Sequence, residues 1–89
     1  MFHKIKEITA KENYTLLAVF VDGTIKEYDV KPLFTELPVF NVLRIIHGLF
    51  EQVKVDAGGY GISWNDGLDL ACDELWTNGI VLSDNTSSS

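Results

Sequence analysis

The stretch Tyr14-Thr15-Leu16-Leu17-Ala18-Val19-Phe20-Val21-Asp22-Gly23-Thr24-Ile25-Lys26-Glu27-Tyr28-Asp29-Val30 decides the fold. Successive side chains of a strand point to opposite faces, so Leu16, Ala18 and Phe20 share one face and Leu17, Val19 and Val21 the other. A strand that is apolar on both faces needs cover on both and is expected at the centre of a sheet. Asp22-Gly23 then reads as a type I′ hairpin turn, whose two central residues take positive φ, a conformation this pair tolerates. A two-residue loop pairs Phe20 with Ile25 and Leu17 with Tyr28, and returns the chain along Thr24–Val30.

Working outward, Lys4–Ala10 mixes β-branched and charged residues, the pattern of an edge strand that lysines protect from stray pairing. Asn13 marks the turn into the central strand. Pro32 ends the third strand, and Pro38 fits the first turn of a helix, where its missing N–H has no cost. Phe40, Leu43 and Ile46 recur at helical spacing, which predicts a helix over Val39–His47 with Gly48 as its stop. Gln52–Asp56 reads as a strand, Ala57-Gly58-Gly59-Tyr60 as a flexible turn, and Gly61–Trp64 as a further strand. Asn65-Asp66-Gly67 reverses the chain into Leu68-Asp69-Leu70. Cys72–Asn78 is expected to be a short helix, with Asp73 and Glu74 where the helix dipole favours negative charge and Gly79 as its end. The expected class is α+β, a small and mostly antiparallel sheet. Its order is three N-terminal strands, helix, two or three further strands, and a short C-terminal helix.

With 89 residues the chain has room for one domain and one modest core. Residues 1–80 are assigned to that domain and 81–89 to a polar tail, most plainly Ser83-Asp84-Asn85-Thr86-Ser87-Ser88-Ser89. Thirteen acids against seven bases give a net charge of −6, a surface that repels phosphate backbones and anionic membranes and suits a basic protein partner. The same charge is also a common means of keeping a small protein soluble. Cys72 is the one cysteine, so neither an internal disulfide nor a cysteine zinc cluster can form within the chain. Met1-Phe2-His3-Lys4 runs into charged residues without an apolar leader, and the longest apolar run, Leu16–Val21, is too short for a bilayer, so a cytoplasmic location is expected. The glycosylation patterns Asn13-Tyr14-Thr15 and Asn85-Thr86-Ser87 are therefore expected to be idle.

Tests for chemistry find little. His3 and His47 lack a second histidine or cysteine at metal-ligating spacing. His47 is expected in the last helical turn, where the dipole favours a cation, and His3 is expected to be loosely held. Gly58, Gly59 and Gly61 resemble a phosphate-cradling loop only superficially, because a strand rather than a helix follows. An EF-hand loop aligned on Gly67 places Ile62 and Trp64 at liganding positions, and neither carries an oxygen ligand. Asp22, Asp29, Asp56, Asp66 and Asp69 sit at turns and strand ends, where aspartates cap backbone N–H groups. No serine elbow or Cys-His pair is present. The bases Lys4, Lys6, Lys11, Lys26, Lys31, Arg44 and Lys54 are scattered, and no helix carries a basic stripe. No catalytic residue, metal ligand or cofactor is therefore assigned.

Two stretches together carry a family likeness. Tyr14–Gly23 with Tyr28-Asp29-Val30, and Ile62-Ser63-Trp64-Asn65-Asp66-Gly67-Leu68-Asp69-Leu70, form a strand, Asp-Gly turn, Asp-bearing strand and closing Trp-x-x-Gly-x-Asp-Leu. This resembles the small bacterial domain-of-unknown-function 2442 family over about residues 4 to 79. The resemblance implies an α+β domain, found alone or joined to a helix-turn-helix, and often encoded beside another small protein in a toxin and antitoxin manner. It implies no catalytic residues. Ala71-Cys72 stand where a Ser-Pro helix start is usual, so the last helix lacks a capping hydroxyl.

The leading expectation is thus a non-catalytic interaction module whose acidic face binds a small basic protein encoded nearby, with this chain as its antitoxin-like or regulatory partner. Two alternatives stand beside it: a small enzyme using a carboxylate pair drawn from Asp29, Asp66 and Asp69, and a dimeric nucleic-acid accessory that pools the Lys4, Lys6 and Lys11 strands across a two-fold axis.

Overall fold

The protein is described from a computed structural model over residues 3–83. Two antiparallel sheets share its strands. Strands β1 (Ile5–Lys11), β2 (Thr15–Phe20), β3 (Ile25–Asp29) and β7 (Ile80–Ser83) lie in the order β1-β2-β3-β7, and β4 (Lys54–Val55), β5 (Gly61–Asn65) and β6 (Leu68–Ala71) form the second sheet. Helix α1 (Lys31–Glu36) and helix α2 (Val42–Ile45) lie between the sheets in sequence, and α3 (Cys72–Asn78) leads into β7. The α+β class, the three N-terminal strands and the bounds of the last helix are as expected. The single sheet is instead split in two.

The β2–β3 hairpin corrects the expected register by one residue. Leu16 pairs with Tyr28 and Val19 with Ile25, so Tyr28 joins the Leu16 face, since a one-residue slip moves every side chain to the other side. The loop is a three-residue one: the Gly23 N–H donates to the Phe20 carbonyl at 2.9 Å, and the Phe20 N–H to the Thr24 carbonyl at 2.8 Å. Gly23 has φ +95° while Asp22 does not enter the left-handed region. This is a type I turn closed by a left-handed glycine. Asp22 favours it by accepting the Thr24 backbone N–H at 2.9 Å through Oδ1.

Strand β2 does lie inside its sheet, between β1 and β3, but its two faces fare differently. Leu16, Ala18 and Phe20 are buried, whereas Leu17 and Val19 are half-buried and Val21 is exposed. The buried face joins Tyr28, Ile62, Trp64, Leu75 and others in one apolar core. Trp64 stacks near Phe50, ring centroids 6.4 Å apart, and its indole N–H donates to the Phe50 carbonyl at 3.1 Å. A buried tryptophan thus has its polar edge satisfied, as burial requires. No buried side-chain nitrogen or oxygen among the described residues lacks a hydrogen-bond partner.

The helical middle also departs from expectation. Pro32 does not merely end β3, since it stands in the first turn of α1. The single helix over Val39–His47 is replaced by a 3-10 turn, Pro38–Asn41, followed by the short α2. Phe40 and Leu43 are buried as the spacing predicts, but Ile46 is extended, with ψ 113°, and exposed. The adjacent β-branched Ile45 and Ile46 disfavour continuation, and His47 lies past the helix end. Of Gln52–Asp56 only β4 is paired, while Ala57–Gly59 form a 3-10 turn. There Gly59, at φ +80°, approaches the start of β1 so closely that a Cβ would stand 2.7 Å from the Ile5 carbonyl oxygen. Glycine is what lets the second sheet touch the first.

Ala71 caps α3 without a side-chain hydrogen bond, the consequence drawn from the missing Ser-Pro start. The expected tail is divided: Ile80–Ser83 complete β7, and residues 84–89 lie outside the described residues. The Asn85 glycosylation pattern falls there too. No helix among the described residues is long and apolar enough to cross a membrane.

Candidate functional site

Strand alternation places Glu27 and Asp29 on the open face of β3, opposite buried Lys26 and Tyr28. Helix α1, turning out of β3, brings Lys31 and Glu36 to the same side, and α3 brings Glu74 and Asn78 from the other. Together with Ile80 of β7 they line a cleft of about 510 Å³. Four of its lining residues are carboxylates, Glu27, Asp29, Glu36 and Glu74, against one ammonium, Lys31.

That ammonium is already engaged. Lys31 Nζ lies 2.9 Å from Asp29 Oδ1 and donates to the Asn13 carbonyl at 2.8 Å. Asp29 also accepts the Lys31 backbone N–H at 2.9 Å. Burial works against the charged Asp29 carboxyl, but these two hydrogen bonds and the ammonium charge outweigh it and hold the group below its ordinary value. Glu27 and Glu36 remain exposed.

Glu74 is fixed from below. The Tyr28 hydroxyl donates to Glu74 Oε2 at 2.7 Å, and Asn78 Nδ2 donates to the same oxygen at 2.9 Å. Burial first, then the bond to this carboxylate and its charge, raise the Tyr28 hydroxyl above its ordinary value. Tyr28 therefore stays a donor, and Glu74 keeps one orientation. Asp29 and Glu74 are thus the held carboxylates of the cleft wall, and Glu27 and Glu36 the exposed ones.

The expected carboxylate set is not assembled. Asp29 is a capping and ion-paired residue of this cleft, whereas Asp66 and Asp69 are exposed on the β5–β6 hairpin and line neither of the cavities described here. No group of three or more His, Cys, Asp or Glu among the described residues is placed to hold a metal ion. Cys72 is buried, its Sγ 4.0 Å from Asp73 Oδ1. His3 is not loose: its ring stacks on Trp76 with centroids 3.6 Å apart. Lys26, buried on the inner face, donates to the Trp76 carbonyl and lies 4.1 Å from the centroid of that ring.

A second cavity of about 410 Å³ adjoins the β1–β2 turn and takes in Lys11, Glu12, Tyr14, Arg44, His47 and Glu51, a mixture of both signs. Asn13 borders both cavities, and Asn13 and Tyr14 hold left-handed φ values of 63° and 56°. Of the cleft residues, Glu27 and Asp29 had a readable signal, an acidic pair two apart on one strand face. Glu36, Glu74 and Tyr28 had none, because their convergence depends on how α1 and α3 pack.

The family described as "Protein of unknown function (DUF2442)" matches residues 5–81. The chain belongs to the DUF2442 family. The DUF2442 region takes in β1 to β6, the first two residues of β7 and every residue lining the acidic cleft. The fold is similar to the crystal structure of a candidate DNA-binding protein from Nitrosomonas europaea, with TM-score 0.73 and 19% identity. That likeness covers 88% of this chain and 49% of the other, so the DUF2442 chain spans about half the length of the protein it resembles. No curated protein matches the chain significantly.

Proposed function

We propose that the protein is a non-catalytic interaction module that uses the acidic cleft to hold a basic segment of a protein partner. The observation that carries this reading is the charge balance of the cleft: among the described residues that line it with Glu27, Glu36 and Glu74, Lys31 is the one cation, and Asp29 and Asn13 already hold it. Opposed potentials speed association and exclude wrong partners more than they add raw affinity. Within the family, a small basic protein encoded beside this one, in an antitoxin-like or regulatory pairing in the bacterial cytoplasm, is the partner that fits. Co-expression of the two with purification through this chain tests the reading. The neighbour is expected to co-purify in near-stoichiometric amount and to be lost with Glu27→Lys and Glu36→Lys together. Retention by the charge-reversed chain, or no enrichment over a control, overturns the proposal.

The fold likeness to the Nitrosomonas europaea protein favours a second reading, an accessory to nucleic-acid binding. The bases on and just before β1 bear on it: Lys4 lies over the Tyr60 ring at 5.1 Å, and Lys11 stands at the far end of the strand, about 23 Å away at about 3.3 Å per residue. Such a reading predicts salt-sensitive retardation of a DNA duplex, and no retardation at low salt ends it.

A further inference from the structure

Resting on the acidic-cleft reading, we propose that the free edge of β7 is a strand-addition site, and that the partner's segment is extended with basic residues alternating along it. Strand β7 closes one side of the four-stranded sheet, and among the described residues no strand pairs with its outer edge. The edge is apolar and exposed: Ile80, Val81 and Leu82 are 68%, 45% and 54% exposed. Edge strands ordinarily carry charges that discourage pairing. The opposite edge, β1, follows that rule with Lys6, Glu7 and Lys11, whereas Ile80-Val81-Leu82-Ser83 carries no charge at all.

The edge and the cleft are one surface. Ile80 pairs with Glu27 across β3 and β7, and Ile80 itself lines the cleft. A strand laid along β7 places every second side chain on the open face, one strand further out than Ile80. From there a Lys or Arg crosses Ile80 with its aliphatic stem and brings its charge toward Glu27. A second basic residue, two positions along the added strand and level with Asn78, lies toward Glu74 and Asn78, which precede β7 in the chain and line the same cleft. Backbone hydrogen bonds would supply affinity, and the alternate side chains specificity.

The charge selects the occupant. Pairing β7 with the same strand of a second copy would bring two acidic clefts together on chains that each carry −6, a repulsive arrangement. A basic segment turns the same field into attraction.

The test uses the full chain and two synthetic peptides, both terminally blocked. One alternates Lys and Val, and the other is the same sequence N-methylated on alternate backbone nitrogens. Binding is followed by NMR titration and amide exchange. Strand addition predicts saturable binding of the first peptide, slowed exchange of β7 amides, and binding about tenfold or more weaker for the methylated peptide, which forfeits backbone hydrogen bonds. Glu27→Gln with Glu36→Gln is expected to weaken the first peptide by a comparable factor. Equal binding of both peptides that is lost in the Gln variant overturns strand addition and leaves the cleft reading standing. Slowed β7 exchange indifferent to the Gln variant overturns the cleft reading and, with it, the basic character proposed for the segment. A free chain that sediments as a dimer with β7 amides protected assigns the edge to a second copy and overturns the proposal, as does no binding of either peptide at millimolar concentration.

Discussion

The surroundings of Trp64 and the cleft along β3 each centre on a buried aromatic side chain with a polar edge and use that edge in opposite ways. Around Trp64, Phe40, Phe50, Ile62 and Leu68 are buried, and the one polar edge in their midst is turned inward to a backbone carbonyl. Along the cleft, Tyr28 is equally buried, yet its hydroxyl is aimed outward to hold Glu74, and Glu27 and Ile80 are left to solvent. The first region satisfies itself. The second keeps charge and apolar edge in excess of what folding uses, and it is this excess that the proposed partner segment would take up.

The contrast is broken most forcefully from its rigid side. Trp64→Ala is expected to cost about 3 to 5 kcal/mol, read by denaturant unfolding, with no change in peptide affinity per folded molecule. A loss under about 1 kcal/mol would show that the Trp64 region is not the seat of stability. Gly59→Ala forces both a left-handed alanine and a contact with the Ile5 carbonyl, and is expected to cost about 2 kcal/mol. An unchanged midpoint would mean that the two sheets are not tied there.

Tyr28→Phe probes the boundary between the regions. It removes one hydrogen bond to a half-buried carboxylate, expected to cost about 1 kcal/mol and to loosen Glu74. Because the folded Tyr28 hydroxyl titrates above its ordinary value of 10.0, its contribution is complete below that pH and is lost as pH rises toward the folded value. The wild type should therefore lose stability in alkali faster than Tyr28→Phe. Parallel alkaline limbs in thermal melts would contradict the assignment.

The smallest stability effects belong to the cleft rim. Glu27→Gln and Glu36→Gln should each shift stability by no more than about 0.5 kcal/mol while weakening a cationic peptide, so a large destabilisation would erase the distinction between the regions. Asp29 gives the acid counterpart. Its folded value is lowered, so its contribution is present above the ordinary 3.8 and fades as pH falls through the folded value. Asp29→Asn is expected to flatten the acid limb slightly, and an unaltered limb would remove Asp29 from the account.

Much of this was legible before any coordinates. The last helix over Cys72–Asn78 could be read because its acidic first turn and following glycine are local signals. The hairpin register could not, since Asp-Gly serves a two-residue turn and the tail of a three-residue one equally well. The difference lay in whether Tyr28 joined Leu16 in the core. Helical spacing places Ile46 in the core because it assumes that the helix continues, whereas α2 ends at Ile45. Ile80-Val81-Leu82, a short apolar run before a polar end, carries no mark of its strand partner.

What the chain alone determined were the properties that depend on near neighbours: alternation along β2, the Gly23 turn, the uncapped start of α3, the excess of acids over bases. Tertiary structure alone decided which acids share a cleft and which edge stays open. Glu27, Glu36 and Glu74 lie on separate elements, and their distances are set by how β3, α1 and α3 bury their apolar faces. That packing responds to the whole core at once, so no local pattern encodes it.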